Sequence, residues 1–175
     1  NSHSITDHTQ GNWNGVVGKI ELQVFDKISF DDIQIFPDLK NKQAKIKVAI
    51  LNNTEKARKS SIAFSAKSFN SEKKHTVKPV SFDLSISKSK EIQHFEYILP
   101  MGSEMLTWDE FDPALDKLSA ELKSDKLSDH KTVQFGMREI SIEGKYFYIN
   151  GRKTMLRGTV ENALFPLTGY PPMDV

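Results

Sequence analysis

A chain of 175 residues, 38% hydrophobic and 27% charged, is long enough for one domain that buries roughly 70% of its unfolded surface. The lack of cysteine excludes disulfides, thiolate metal sites and cysteine nucleophiles but leaves the compartment open, an exported or periplasmic parent included. The 24 basic and 23 acidic residues nearly cancel, and the basic ones are mostly lysines scattered from Lys19 to Lys153, a pattern of a solvated surface rather than of a nucleic-acid reader.

No apolar run approaches the roughly 20 residues of a membrane span, so no membrane partner is expected, and Asn1 to Gln10 is too polar for a signal peptide. From residue 16 to residue 100 the dominant period is two, that of half-buried strands. Ile20, Leu22 and Val24 alternate with Lys19, Glu21 and Gln23, and Ile33 and Ile35 follow with Phe36. Ile46, Val48 and Ile50 alternate with Lys45, Lys47 and Ala49, the clearest strand in the chain. Ile62, Phe64 and Ala66 make the next run, then Val80, Phe82, Leu84 and Ile86, and a weaker one holds Ile92, His94, Tyr97 and Leu99. Polar turns are expected between them at Asp31-Asp32, Pro37 to Lys42, Asn52 to Thr54, Asn70 to Lys74 and Ser87 to Lys90. Strands of this spacing without a helix-length periodic segment predict an all-β antiparallel sandwich with Ile46, Val48, Ile50, Ile62, Phe64, Phe82, Leu84, Leu118 and Leu122 in its core.

Local rules conflict over residues 109 to 123. Leu115, Leu118 and Leu122 have helical spacing and Asp112-Pro113 resembles a helix start, yet Leu118, Ala120 and Leu122 also alternate with Lys117, Ser119 and Glu121. Ser124 to Lys131 reads as a polar turn and Thr132 to Ile142 as strand. Arg138 to Ile149 reads as a hairpin turning at Glu143-Gly144-Lys145, and Asn150-Gly151 is a second tight turn, because both residue types tolerate positive φ. Three of the four arginines, Arg138, Arg152 and Arg157, fall in the last 38 residues, which marks a boundary near residue 136. Both ends of the chain read as cuts in something longer, since the last stretch, Phe165 to Val175, leaves apolar residues with no element after them.

Three stretches together resemble glycoside hydrolase family 2, the family of β-galactosidases, β-glucuronidases and β-mannosidases. Phe135-Gly136-Met137-Arg138-Glu139-Ile140, followed by Asn150-Gly151-Arg152-Lys153 and Arg157-Gly158, is similar to that family's F-G-F-R-x-I, hairpin, N-G-K-x-x-x-x-R-G run, with Met137 in place of the usual phenylalanine. Asn12-Trp13-Asn14-Gly15 through Leu22 is similar to the segment that leaves the family's first, jelly-roll domain. Leu106-Thr107-Trp108-Asp109 through Leu118 resembles its W-x-P-x-x-P-x-L-Y-x-L strand entry, with Asp116 where the tyrosine stands and the first proline missing. The resemblance implies an immunoglobulin-like antiparallel β-sandwich over residues 16–137, preceded by the tail of a sugar-binding-like jelly roll over 1–15 and followed over 138–175 by a hairpin extension that opens a (β/α)8 catalytic barrel. It also implies that residues 115 to 122 form a strand. The partners it implies are the jelly roll and barrel of a parent hydrolase and that enzyme's carbohydrate substrate.

Retaining glycosidases use two carboxylates about 5 Å apart, and the resemblance places both on later barrel strands, so no catalytic residue, cofactor or metal is expected in this chain. Glu139 and Glu143 read as ordinary hairpin residues. Glu161 follows Arg157-Gly158 on what resembles the first barrel strand, and Asn162 stands about where many members carry a sugar-contacting histidine; these two, with Asn12 and Trp13, are the candidate substrate contacts. His3, His8, His75, His94 and His130 have no metal-ligand spacing and read as surface or loop residues. Trp108 reads as packing at the sandwich edge. The expected function is therefore the scaffolding sandwich of an O-glycosyl hydrolase. The alternative is a free-standing fibronectin-like or carbohydrate-binding module, which requires an exposed row of aromatics on one face.

Overall fold

The computed structural model describes residues 16, 18–88 and 90–159. Two compact units divide the chain, residues 25–155 and a second made of residues 1–24 with 156–175. The described residues of the second unit carry no strand, and Ile20, Leu22 and Val24 are exposed there. The strand expected from their alternation does not form, because a period of two marks one face of a strand only where another edge offers hydrogen bonds to it.

The first unit holds ten strands and, among the described residues, no helix. One sheet orders β1 (Ile28–Asp38), β2 (Gln43–Asn52) and β5 (Gln93–Pro100) as β1-β2-β5; the other orders β4 (Thr76–Ile86), β3 (Arg58–Ser68), β6 (Asp116–Ser124) and β7 (Leu127–Phe135) as β4-β3-β6-β7. All pairings are antiparallel. This is an immunoglobulin-like sandwich in which the fourth strand pairs with β3, giving three strands against four. A small third sheet follows, β8 (Ile140–Glu143), β9 (Tyr146–Ile149) and β10 (Arg152–Thr154), ordered β10-β9-β8.

The core is built from the inward members of the period-two runs. Ile46, Val48 and Ile50 face Ile62, Phe64, Leu118 and Leu122, none more than 1% exposed, and each such side chain contributes about 1.5–3 kcal/mol by leaving water. Phe82 and Leu84 are only partly buried, because β4 is an edge strand. Tyr97 of β5 reaches across to Phe82 and Phe64, with ring centroids 4.7 and 5.4 Å away, and burial pushes its phenol pKa up. On β5 the inward residues are Phe95, Tyr97 and Leu99, while His94 points outward and Ile92, just before the strand, is exposed.

Residues 115 to 122 resolve in favour of strand. Leu118, Ala120 and Leu122 line the core and Lys117 and Glu121 face solvent, because β6 lies between β3 and β7 and hydrogen-bonds to both; tertiary pairing overrides helix propensity. Two expected turns prove to be strand. Asp31-Asp32 is a β-bulge in β1, which lets Phe30 and Ile33 both point inward although three residues apart. The turn expected over Ser124 to Lys131 shrinks to Asp125-Lys126, with Ser124 paired to Leu127. Asp129 and Lys131 lie on the inward-alternating side of β7 because they close the sandwich laterally: the Asp129 carboxylate accepts the Phe30 N–H at 2.7 Å and the Lys131 ammonium donates to the Asp31 carbonyl at 2.8 Å.

Candidate functional site at the junction of sandwich and terminal sheet

The segment that leaves β7 runs straight into the third sheet, and its residues are fixed against the loop before β6. Gly136 lies so close to Trp108 that a Cβ on it would stand 2.8 Å from the Trp108 Cβ and 3.3 Å from Leu115 Cδ2; glycine is required by space. The Trp108 N–H donates to the Met137 carbonyl at 2.9 Å, Thr107 bridges Met137 in parallel, and Met137 is fully buried in the sandwich core. The Arg138 guanidinium then covers the Trp108 ring, 4.6 Å from its centroid.

Asn150 ties the other end of the hairpin to the same place. Its main-chain N–H donates to the Glu139 carbonyl, its Oδ1 accepts the Glu139 N–H and its Nδ2 donates to the Trp108 carbonyl, each at 2.9 Å. It occupies the left-handed region, φ 52°, followed by Gly151 at 75°, and Ile149 pairs with Arg152 across this two-residue turn. The turn is of the type that matches strand twist, and asparagine both adopts it and supplies the side-chain amide.

Arg152 completes the junction. Its guanidinium lies 4.5 Å from the Phe111 ring centroid, 2.9 Å from Glu110 Oε1 and 3.9 Å from Asp109 Oδ2. Asp109 Oδ1 accepts the N–H groups of Phe111 and Asp112 at 2.8 and 3.0 Å. Those two amides, Asp112 first, hold its carboxyl below the usual carboxylate range, and the Arg152 charge adds to them. On the sandwich side the Asn70 side chain bonds the Pro113 carbonyl and the Leu115 N–H at 2.8 and 2.7 Å. The loop from Trp108 to Leu115 is thus clamped from both directions. One face of the third sheet stays open: Ile140, Ile142 and Phe147 are 57%, 67% and 42% exposed.

The candidate substrate contacts Glu161, Asn162, Asn12 and Trp13 lie outside the described residues. Glu139 and Glu143 are exposed hairpin residues, Glu139 contributing its main chain to the Asn150 bonds. The reading of His75 as a surface or loop residue requires correction. It stands in the loop before β4 but is buried, with Nδ1 3.0 Å from Asp116 Oδ1 and Nε2 2.8 Å from the Met101 carbonyl. Ser68 is close by, yet its hydroxyl accepts the His75 main-chain N–H, so no nucleophile meets the imidazole and the group serves to join three strand ends. Neither this pair, 41 residues apart in sequence, nor the link from Arg152 to Glu110 leaves a local signal; Asn150 was legible only as a turn former. Among the described residues the exposed aromatics are spread over separate elements and not set in one row: Phe25 precedes β1, Phe36 lies on the outer face of β1, Phe69 just past β3, Phe111 beneath Arg152, and Tyr146 and Phe147 on β9.

This combination, a three-on-four sandwich whose last strand runs through a glycine-arginine junction into a hairpin sheet, defines the class: an all-β, immunoglobulin-like antiparallel sandwich with a hairpin extension. The family described as Glycosyl hydrolases family 2 matches residues 28–138, and the chain belongs to that family. It is 36% identical over 63 residues to a β-galactosidase of Thermoanaerobacterium thermosulfurigenes, a stretch covering 36% of this chain and 9% of that enzyme. The fold is similar to that of a family 2 β-galacturonidase from Eisenbergiella tayi (TM-score 0.60, 20% identity, 74% of this chain and 21% of that one). It is likewise similar to a Bacteroides uniformis β-glucuronidase (TM-score 0.60, 16% identity, 77% and 17%). The chain therefore spans about a fifth or less of the length of these relatives.

Proposed function

We propose that this chain supplies the scaffolding sandwich of a family 2 O-glycosyl hydrolase that acts on carbohydrate. Its task is to hold a preceding jelly-roll domain and a following (β/α)8 barrel in a fixed relation. In this reading residues 1–15 are the tail of the jelly roll, the sandwich lies within 16–137, and 138–175 open the barrel, with Glu161, Asn162, Asn12 and Trp13 near the substrate of the assembled enzyme. The observation that carries it is the junction, where Trp108 is bound by Met137, Arg138 and Asn150. Such bonding transmits position from the sandwich to the segment after it, and the open apolar face of Ile140, Ile142 and Phe147 is then the surface that the barrel covers.

Retaining hydrolysis needs an acid and a nucleophile on either side of one glycosidic bond, and a scaffold supplies neither. The test is an assay of the purified chain against aryl β-galactoside, β-glucuronide and β-mannoside. No turnover is expected; turnover that persists in the Glu161→Ala variant would show that the chain is an enzyme in its own right.

A further inference from the structure

The outer face of the four-stranded sheet is uneven in its charge. At the far end of this face Lys123 binds Glu121 at 3.1 Å, as Lys45 and Lys47 bind Glu96 on the three-stranded sheet at 3.2 and 3.1 Å. At the end of the sheet near the junction, Lys67, Lys74 and Lys117 border one groove, and among the described residues none of them forms an ion pair. No aspartate or glutamate among the described residues lines this groove. Its floor is made of the short hydroxyl side chains Ser65, Ser119 and Thr132, on neighbouring strands in register, with His130 bonded to the Ser119 hydroxyl at 2.9 Å. One wall is the Phe69 ring, 43% exposed, with the Lys117 ammonium 5.2 Å from its centroid.

From this arrangement we infer that the groove is an ancillary binding site for an acidic oligosaccharide, one bearing carboxylate groups along a chain of pyranose rings. The ammonium groups, Lys74 held by the Ser71 carbonyl at 3.3 Å and Lys117 over Phe69, meet the carboxylates, the floor hydroxyls exchange hydrogen bonds with sugar hydroxyls, and the ring face of Phe69 packs on sugar C–H groups. An acidic peptide fits less well. Of the floor strands, β3 and β6 are paired on either side, and the edge strand β7 is turned to β1, whose Phe30 N–H and Asp31 carbonyl bond Asp129 and Lys131, so an extended peptide in the groove crosses the strands and does not add to an edge. Nucleic acid is disfavoured by the lack of arginine in the groove. The site is independent of the scaffolding role, and its lysines are flexible and solvated, so binding is weak and falls with salt.

The experiment is an amide NMR titration of the 175-residue chain with tetragalacturonate at low salt, beside neutral galactotetraose, a tetraglutamate peptide and inorganic sulfate. The expected result is shifts at Lys67, Lys117, Ser119 and His130 with tetragalacturonate, at least tenfold weaker binding of each of the other three, and at least a tenfold loss in the K67Q/K117Q double variant with an unchanged Tm. Absence of these shifts, equal binding of galactotetraose, or no loss in the double variant would overturn the site. Equal binding of tetraglutamate or sulfate would overturn the saccharide assignment, since the groove would then read charge alone.

Discussion

Single residues fix the ends of this sandwich through bonds that have no apolar substitute. In the buried His75–Asp116 pair the two ring nitrogens lie against the carboxylate and the Met101 carbonyl, so each has one polar partner. Asp116→Ala leaves Nδ1 buried and unpartnered, and unfolding in urea should show a loss of about 3 kcal/mol. Asp116→Asn can donate from its amide to Nδ1 while Nε2–H serves Met101, and should lose only about 1 kcal/mol. Equal losses would mean that the side chain matters only as volume. At Gly136 the constraint is space, given the 2.8 Å approach to Trp108. Gly136→Ala should cost about 1–3 kcal/mol and alter the near-ultraviolet dichroism of the tryptophans, because the Trp108 ring must move. An unchanged spectrum would show that the loop relaxes freely and that Trp108 is not held where the junction needs it.

At the scale of elements, legibility depended on whether an element's reason for existing was local. The alternation of β2, with Lys45 and Lys47 outward, and the positive-φ turn at Asn150-Gly151 are written in adjacent residues. The beginning of β7 was not, because Asp129 and Lys131 break its apolar alternation in order to bond β1 of the other sheet. The Asp31 bulge is the other half of that same contact. Conversely, the alternation of Ile20, Leu22 and Val24 promised a strand that has no paired edge among the described residues. The Trp108–Leu115 loop carries a pH dependence whose sign follows from Asp109. Its carboxyl lies below the usual range in the folded chain, so its contribution is present above the ordinary carboxylate pKa and is lost as the pH falls through the lower, folded value. Hydrogen exchange of the Phe111 and Asp112 amides should accelerate, relative to core amides, on going from neutral pH into that acid range, and Asp109→Ala should show the faster exchange already at neutral pH. Identical relative protection at both pH values would contradict the assignment.

For the whole molecule, the family resemblance was carried by the run from Phe135 to Gly158, and in the structure residues of that run meet at one place around Trp108. Gly136 makes room for Trp108, Arg138 covers it, Asn150 bonds its carbonyl, and Arg152 holds the loop beyond it. The substrate contacts expected at Asn12, Trp13, Glu161 and Asn162 lie outside the described residues. Bonded in this way at the junction, the terminal sheet is expected to move with the sandwich as one body. Residual dipolar couplings of the backbone amides test it directly. One alignment tensor should fit residues 28–135 and 140–154 together, and Asn150→Ala, which removes the side-chain bonds to the Glu139 N–H and the Trp108 carbonyl, should separate them into two. Two tensors in the unaltered chain, or a single one that survives Asn150→Ala, would contradict it.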